Sequence, residues 1–329
     1  MSRICAFVRH PTFKEGQTAL AMNYLRALRM IYGRDLRVIE TTGLSPVKSK
    51  YGIYLAEALA AAFNDCDVVH LLNTNKVLPA FINGLLSRKR VISYQFSYLP
   101  KIHSAWKVKR AIIEHGSNFV VGSSERIAGL FRNGVFINPP INTELFKPRD
   151  KALARRLIGL PIDGKIVGYV GDVDERRGFD IVARLASAAN NDVKFLIASL
   201  RVDNISGDTL RALARAIRRG TVLLMFREAP IWYVYNAIDV LLLPIRGDYP
   251  TEPPMTLLEA LSSGTPVIGS LSPSMVDYRG LYIGVKDDEW DDILSLLHNE
   301  KLLDEYSKKA REYVMRYHKY DVVADKLKL

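Results

Sequence analysis

Residues 249–268 read Tyr249-Pro-Thr-Glu-Pro-Pro-Met-Thr-Leu-Leu-Glu-Ala-Leu-Ser-Ser-Gly-Thr-Pro-Val-Ile268. Pro250, Pro253 and Pro254 stiffen a loop. A short helix carrying Glu259 follows, Gly264 stops it, and a buried strand starts at Pro266. A loop that opens a helix offers backbone N–H groups to an anion such as a diphosphate. Pro253 and Pro254 have no N–H, so Met255, Thr256 and Leu257 are the amide donors to a phosphate or a sugar. Glu259 stands one turn inside the helix, where its carboxylate can accept hydrogen bonds from a ribose diol.

Outward from this unit, apolar β-branched runs alternate with amphipathic stretches along the whole chain. The first half predicts strands at 4–8, 36–40, 68–72, 90–94, 119–122 and 135–138, and a helix over 18–32 in which Leu25, Leu28 and Ile31 recur at helical spacing. The second half predicts strands at 166–170, 193–198, 222–225, 240–243, 266–268 and 281–285. Continuous apolar strands without period-two alternation indicate sheets covered on both faces, and alternation with helices indicates parallel βαβ units. The fold class is therefore α/β with two doubly wound, Rossmann-like domains and ligands at the carboxyl ends of the strands. Pro139, Pro140 and Pro148 break the chain within residues 138–148. The expected division is a first domain over 1–147, a second over 148–310, and a C-terminal helix and tail over 311–329.

Composition narrows the function classes. Of 329 residues 48% are hydrophobic and 25% charged, which is typical of a globular protein. No apolar run reaches about 18 residues, so no transmembrane helix is expected, and the first residues do not read as a signal peptide. The two cysteines, Cys5 and Cys66, read as small buried hydrophobes rather than a disulfide framework, and a cytoplasmic location is expected. The net charge of +11 belongs to the first half, where residues 1–148 hold 20 Lys and Arg against 9 Asp and Glu. Such a surface attracts phosphates, anionic lipid or nucleic acid. His70, at the end of a strand, reads as a satisfied core histidine.

Several stretches resemble landmarks of family 4 glycosyltransferases, in that family's order and over nearly the whole chain. Gly168-Tyr-Val-Gly-Asp-Val-Asp-Glu-Arg-Arg-Gly178 resembles its diphosphate loop, with Gly171 ending the strand, Arg177 in a cationic position and Arg176 as a second charge. The family's arginine position holds Asp172, whose carboxylate must turn away or pair with Arg176. Phe226 and Arg227 match residues packed near the nucleotide base. Residues 249–268 resemble the donor motif, with Glu259 as the second of its two glutamates. The first falls on Thr251, so either a one-residue slip lets Glu252 serve or the Thr251 hydroxyl contacts the sugar. Gln95 takes the place of a histidine beside the transferred sugar, and the loop holding His10, Lys14 and Gly16 resembles the acceptor-side glycine loop.

The resemblance implies the GT-B fold with an interdomain cleft, a C-terminal helix and tail over 311–329 that pack back toward the first domain, and a nucleotide sugar as donor, with UDP or GDP as carrier. It implies retention, no cofactor and no metal ion; Asp172-Val-Asp174 has a metal-like spacing inside the phosphate loop. Gln95, Arg177 and Glu252 are the catalytic candidates. Gly171, Arg176, Arg177, Phe226, Arg227, Thr251, Met255, Thr256, Leu257 and Glu259 are the donor-binding ones. The basic first domain points to a glycan or lipid-linked glycan acceptor and to a peripheral place on an anionic inner membrane face. Two other readings keep the fold: a catalytically weak sugar-nucleotide-binding protein, and an enzyme acting on nucleic acid, for which no recognition helix or aromatic platform stands in the sequence.

Overall fold

The apolar runs become strands, and every strand pairs in parallel with its neighbours. The computed structural model describes residues 3–9, 16–41, 50–73, 77–86, 89–102, 105–190, 192–226, 229–247 and 251–329. Its contacts divide the chain into two units, one made of Met1–Pro140, Pro250–Met255 and Tyr317–Leu329, the other of Ile141–Tyr249 and Thr256–Arg316. The first division falls between Pro140 and Ile141, inside the proline-rich segment rather than at its end. The last falls after Arg316.

The first unit contains β1 (Ile4–Val8), α1 (Gly16–Tyr32), β2 (Leu36–Glu40), α2 (Lys50–Phe63), β3 (Val68–Leu71), α3 (Val77–Leu86), β4 (Arg90–Gln95), α4 (Leu99–Ile102), α5 (Trp106–Gly116), β5 (Phe119–Gly122), α6 (Glu125–Ala128) and β6 (Gly134–Phe136). The sheet order is β2-β1-β3-β4-β5-β6. Right-handed crossovers place α1, which leads from β1 to β2, on one face and α2, α3 and α5, which lead the other way, on the opposite face. Side-chain alternation agrees. Cys5, Phe7, Val69, Leu71 and Val91 pack with Ala61 of α2, while His70 and Tyr94 turn the other way to meet Tyr32 and Tyr24 of α1. His70 is fully buried, its Nδ1 is 2.9 Å from Tyr94 Oη, and burial lowers its pKa to about 3. It is a neutral core residue.

The second unit contains α7 (Lys151–Ile158), β7 (Lys165–Val170), α8 (Phe179–Ala188), β8 (Val193–Ala198), α9 (Gly207–Arg218), β9 (Val222–Met225), α10 (Ile231–Ala237), β10 (Val240–Leu243), α11 (Met255–Ser262), β11 (Val267–Ser270), β12 (Ile283–Val285), α12 (Ile293–Leu296) and most of α13 (Glu300–Tyr317). The order is β12-β11-β10-β7-β8-β9. Its core joins Val167, Tyr169, Phe195 and Leu242 of the sheet to Phe179, Val182 and Leu185 of α8 and to Trp290. A buried arginine closes the base of this unit. Arg155 Nη2 donates to Asp239 Oδ2 at 2.8 Å, Nε to Ala237 O at 2.9 Å and Nη1 to Ile162 O at 2.6 Å, so its donors are satisfied where water is scarce.

Two expectations need correction. The residues after Tyr317 are not a tail. They form α14 (Tyr320–Lys326), which packs on α1. There Tyr320 Oη donates to Asn23 Oδ1 at 2.8 Å, and Val323 and Ala324 are buried. Nor are the cysteines free: Cys5 and Cys66 form a disulfide with Cα atoms 5.9 Å apart. The parallel register of β1 and β3, with Ile4 opposite Val68, brings residues 61 positions apart in sequence side by side. A cysteine count carries no information on that adjacency. The disulfide also removes the cysteine-based argument for a reducing compartment. Among the described residues no helix is long and apolar enough to cross a membrane.

A bond that closes a loop of this length stabilises the fold by about 4 kcal/mol on chain-entropy grounds. Reduction is expected to lower the melting temperature by several degrees, read by calorimetry with and without reductant. An unchanged melting temperature, or two free thiols in the untreated protein by mass spectrometry, would contradict the disulfide.

Candidate functional site

In the second unit the chain leaves β7 toward β8 on one side and returns through β9 and α10 to place β10 on the other. Helices then diverge to opposite faces, and a crevice opens at the carboxyl ends of β7 and β10, where ligands of doubly wound sheets bind. Two loops border it. The β7 loop runs from Gly171 to Gly178 and the β10 loop starts at Pro244. They touch: a Cβ on Gly178 would lie 1.8 Å from Pro244 O, and Gly178 has φ +74°, so only glycine fits this position. Ser270 Oγ donates to Ile245 O at 2.5 Å and Ser272 Oγ to Gly247 O at 2.6 Å, fixing the β10 loop from the end of β11.

The β7 loop carries the charges. Gly171, at φ +133°, leaves room for a guanidinium: its missing Cβ would stand 3.2 Å from Arg177 Nη1. Arg177 pairs with Asp172 at 2.8 Å, and Arg201 pairs with the same carboxylate oxygen at 2.7 Å. Arg176 instead pairs with Asp174 at 2.5 Å. Asp172 is therefore paired, but with Arg177 and Arg201 rather than with Arg176. The short helical turn Glu175–Arg177 points consecutive arginines to different sides. The side-chain hydrogen bond from Arg176 holds the Asp174 carboxyl below its ordinary range. Each aspartate of the Asp172-Val-Asp174 pair thus faces an arginine. Among the described residues no group of three or more His, Cys, Asp or Glu is placed to hold a metal ion.

After the β10 loop the chain forms α11, which carries Glu259. Its Oε2 accepts a 2.7 Å hydrogen bond from Tyr235 Oη. The Tyr235 ring packs edge-on against Phe146, with centroids 6.0 Å apart, and Thr265 Oγ1 donates to Tyr235 O at 2.8 Å. Burial of the carboxyl raises the Glu259 pKa to about 7, and the Tyr235 hydrogen bond pulls the other way. Tyr235 is fully buried and is the partner that orients Glu259. Its hydroxyl was the available signal, because a buried tyrosine needs a polar partner. Thr256 is half-buried and Leu257 buried. The first-turn amides of α11 have no acceptor inside the helix. Phe226 lies exposed just past β9, two strands from β7. Arg227 lies outside the described residues.

The first unit holds the other candidates. Gly16 and Thr251 come together, with the Thr251 Oγ1 3.4 Å from where a Gly16 Cβ would stand. Gln95 ends β4, is buried, and its Nε2 donates to Ser97 O at 2.7 Å. Glu252 is not placed as a catalytic carboxylate. It is fully buried in the first unit, its N–H donates to Phe96 O at 3.0 Å, Ser124 Oγ donates to its Oε2 at 2.9 Å, and Arg126 pairs with it. The Arg126 guanidinium in turn sits 3.9 Å over the Tyr98 ring. His10 and Lys14 lie outside the described residues. Sequence reading missed Arg9 at the end of β1, which grips Glu57 through two hydrogen bonds of 2.7 and 2.9 Å while Thr41 Oγ1 donates to the same carboxylate.

Comparison with known proteins places this geometry. Residues 164–299 match the family model of glycosyl transferases group 1, a stretch that runs from the start of β7 to just past α12. A D-inositol 3-phosphate glycosyltransferase of Acidothermus cellulolyticus is 28% identical over 165 residues, covering 46% of this chain and 35% of the relative. That of Mycobacterium leprae is 29% identical over 155 residues, covering 46% and 34%. The chain thus spans about a third of the length of these curated relatives. Among solved structures, Anabaena HepE in complex with UDP and glucose has a TM-score of 0.75 at 12% identity, covering 99% of this chain and 98% of HepE. WaaG, a glycosyltransferase involved in lipopolysaccharide biosynthesis, has a TM-score of 0.69 at 12% identity, with 99% of each chain covered. The two parallel six-stranded sheets with flanking helices are the GT-B fold of these glycosyltransferases.

Two measurements check the site's electrostatics. Glu252 has no exposure, so Arg126→Ala leaves a buried charge and is expected to cost about 3 kcal/mol in denaturant unfolding; a loss within the range of exposed surface pairs would show the pair to be incidental. Glu259 has its folded pKa raised from 4.5 to about 7, so its contribution to stability is complete below the lower value and is lost as pH rises through the upper one. Wild type should lose stability relative to Glu259→Gln between pH 4.5 and about 7. Parallel curves for the two proteins would refute the raised value.

Proposed function

We propose that the chain is a family 4-like glycosyltransferase that moves a sugar from a UDP-sugar to a glycan acceptor. The match of residues 164–299 to glycosyl transferases group 1 supports this, as do the activity named for the curated relatives and the UDP and glucose bound to HepE. The observations that carry it are a cation folded over a glycine in the β7 loop and an oriented carboxylate on the helix that follows the β10 loop: Arg177 over Gly171, and Glu259 held by Tyr235.

In this reading Glu259 accepts hydrogen bonds from the ribose diol and the diphosphate lies between the β7 loop and the start of α11. Breaking the bond between the anomeric carbon and the phosphate oxygen builds negative charge on UDP. Arg177, Arg176 and the amides of Met255, Thr256 and Leu257 stabilise that charge. The acceptor hydroxyl oxygen bonds to the anomeric carbon on the face the phosphate leaves, and its proton passes to the departing phosphate. The reaction is retaining and needs neither metal nor cofactor. It asks nothing of Gln95 but a hydrogen bond. Asp172 gains a role here: Arg201 keeps that carboxylate paired when Arg177 turns to the diphosphate, so the cation changes partner without leaving an anion bare beside the phosphates.

The basic first unit supports an anionic or membrane-held acceptor, such as a lipid-linked glycan. We place the protein in the cytoplasm, peripheral on the inner membrane face. A Cys5–Cys66 bond found closed in protein from its own cells would move it to an oxidising compartment or to the disulfide-rich cytosol of a hyperthermophile.

Calorimetry with UDP, GDP and ADP, with and without chelator, tests the donor site. UDP is expected to bind in the micromolar range regardless of chelator, and Glu259→Ala to weaken it roughly 10- to 100-fold, the loss of hydrogen bonds to a charged group. Absence of binding by every nucleotide would overturn the reading. UDP binding without turnover would favour the catalytically weak protein, for which the Arg177–Asp172 pair is the motivating contact.

A further inference from the structure

One layer of the first unit has an apolar outer surface. Helices α2, α3 and α5 cover the same face of the sheet, with α2 against α3 and α3 against α5. Leu55, Leu59 and Phe63 recur every fourth residue on α2 with exposures of 51, 43 and 69%, which is one stripe of a helix. Phe81 and Leu85 do the same on α3 at 47 and 63%, and Val108 of α5 is 61% exposed. An open groove of about 490 Å³ between α3 and α5 is walled by Phe81, Val108, Ala111 and Ile112, with Lys107 and His115 at its polar positions. Helices on a solvated surface carry polar residues at such positions, and an apolar patch spread over adjacent helices marks an interaction surface.

Charge identifies the partner. Residues 68–113, which include α3 and nearly all of α5, contain eight Lys and Arg and no Asp or Glu. The acids that border the layer are paired. Just past α2, Asp65 meets Arg3 and Arg37, and Asp67 accepts from the Arg3 amide. Glu57 of α2 is buried against Arg9 and Thr41. Glu114 of α5 accepts from the Arg132 amide at 2.7 Å and pairs with Arg110. Two copies of this face brought together would oppose cation to cation. We propose that the α2–α3–α5 face docks on the surface of a bilayer that contains anionic phospholipid: Leu55, Leu59, Phe63, Phe81, Leu85 and Val108 enter the headgroup layer, and Lys107 and Lys109 meet lipid phosphates. Apolar burial and headgroup attraction add in such docking, and each basic residue near the surface contributes. This names the surface behind the membrane-held acceptor of the preceding reading, and it stands apart from the donor site, which lies in the other unit.

Co-sedimentation with vesicles of phosphatidylcholine alone, or mixed equally with phosphatidylglycerol, tests it at physiological salt. The intact protein should partition onto the anionic vesicles roughly tenfold or more better than onto the neutral ones. Phe63→Ser/Leu85→Ser/Val108→Ser should lower that partition about tenfold or more, and Lys107→Glu/Lys109→Glu should lower it as well. The substituted positions are exposed, apart from the half-buried Lys109, and both variants should keep the wild-type melting temperature and UDP affinity. Equal partition onto both vesicles, or an apolar variant that binds as well as wild type, overturns the proposal. So does a wild-type dimer in analytical ultracentrifugation that the apolar variant dissociates, since the face then belongs to a second copy. Protein that binds UDP but ignores vesicles fails this inference alone; protein that binds vesicles but no nucleotide fails the donor reading alone.

Discussion

Two parallel strands can be joined only by a crossover that passes over one face of their sheet, and strand twist makes that crossover right-handed. In each unit the chain first moves one way along the sheet and then the other, so its helices divide between the faces. In the second unit the reversal separates β7 from β10. The loops leaving those two strands meet at Gly178 and Pro244. In the first unit the same reversal, between β1 and β3, puts Arg9 at the equivalent point and sets α2, α3 and α5 together on the opposite face from α1. The candidate site and the candidate docking face are thus both products of where the winding changes direction.

Charge is handled differently in the interior and at the crevice. Glu252 with Arg126, Glu57 with Arg9 and Arg155 with Asp239 each place at least one partner out of water and surround it with further hydrogen bonds. Removing one member of such a pair leaves an uncompensated buried charge. The pairs of the β7 loop are wetter, with Arg176 73% exposed and Arg201 53% exposed. Screened pairs of that kind exchange partners at little cost, as the proposed hand-over of Arg177 to a diphosphate requires.

Most of the fold was legible because its signal is local. Runs such as 119–122, 193–198 and 240–243 are strands over the residues that their β-branched composition marks, and glycines such as Gly178 stand where a positive φ is required. The sequence also placed Gly171 and Arg177 in the loop after β7 and Glu259 on the helix after β10, and they stand there. What escaped was pairing at long range. Nothing near Glu252 announces that Arg126, more than a hundred residues earlier, will claim its carboxylate. Nothing near Cys5 announces Cys66, and the choice between Arg176 and Arg177 for Asp172 depends on a single helical turn. Tyr235 and Arg9 were missed for the same reason: their roles are defined by what they touch, not by their neighbours in sequence.

The membership of residues 250–255 in the first unit, between two stretches of the second, means that the chain changes unit four times. Neither unit is therefore a continuous stretch of the gene. A fragment cut after residue 140 would lack Glu252, leaving Arg126 without its carboxylate, and would lack α14, leaving the surface of α1 that covers Val323 and Ala324 bare. Grafting this first unit onto the second unit of a relative would need three separate pieces of sequence moved together. Recombination at the proline-rich linker would instead separate Arg126 from Glu252 and α1 from α14.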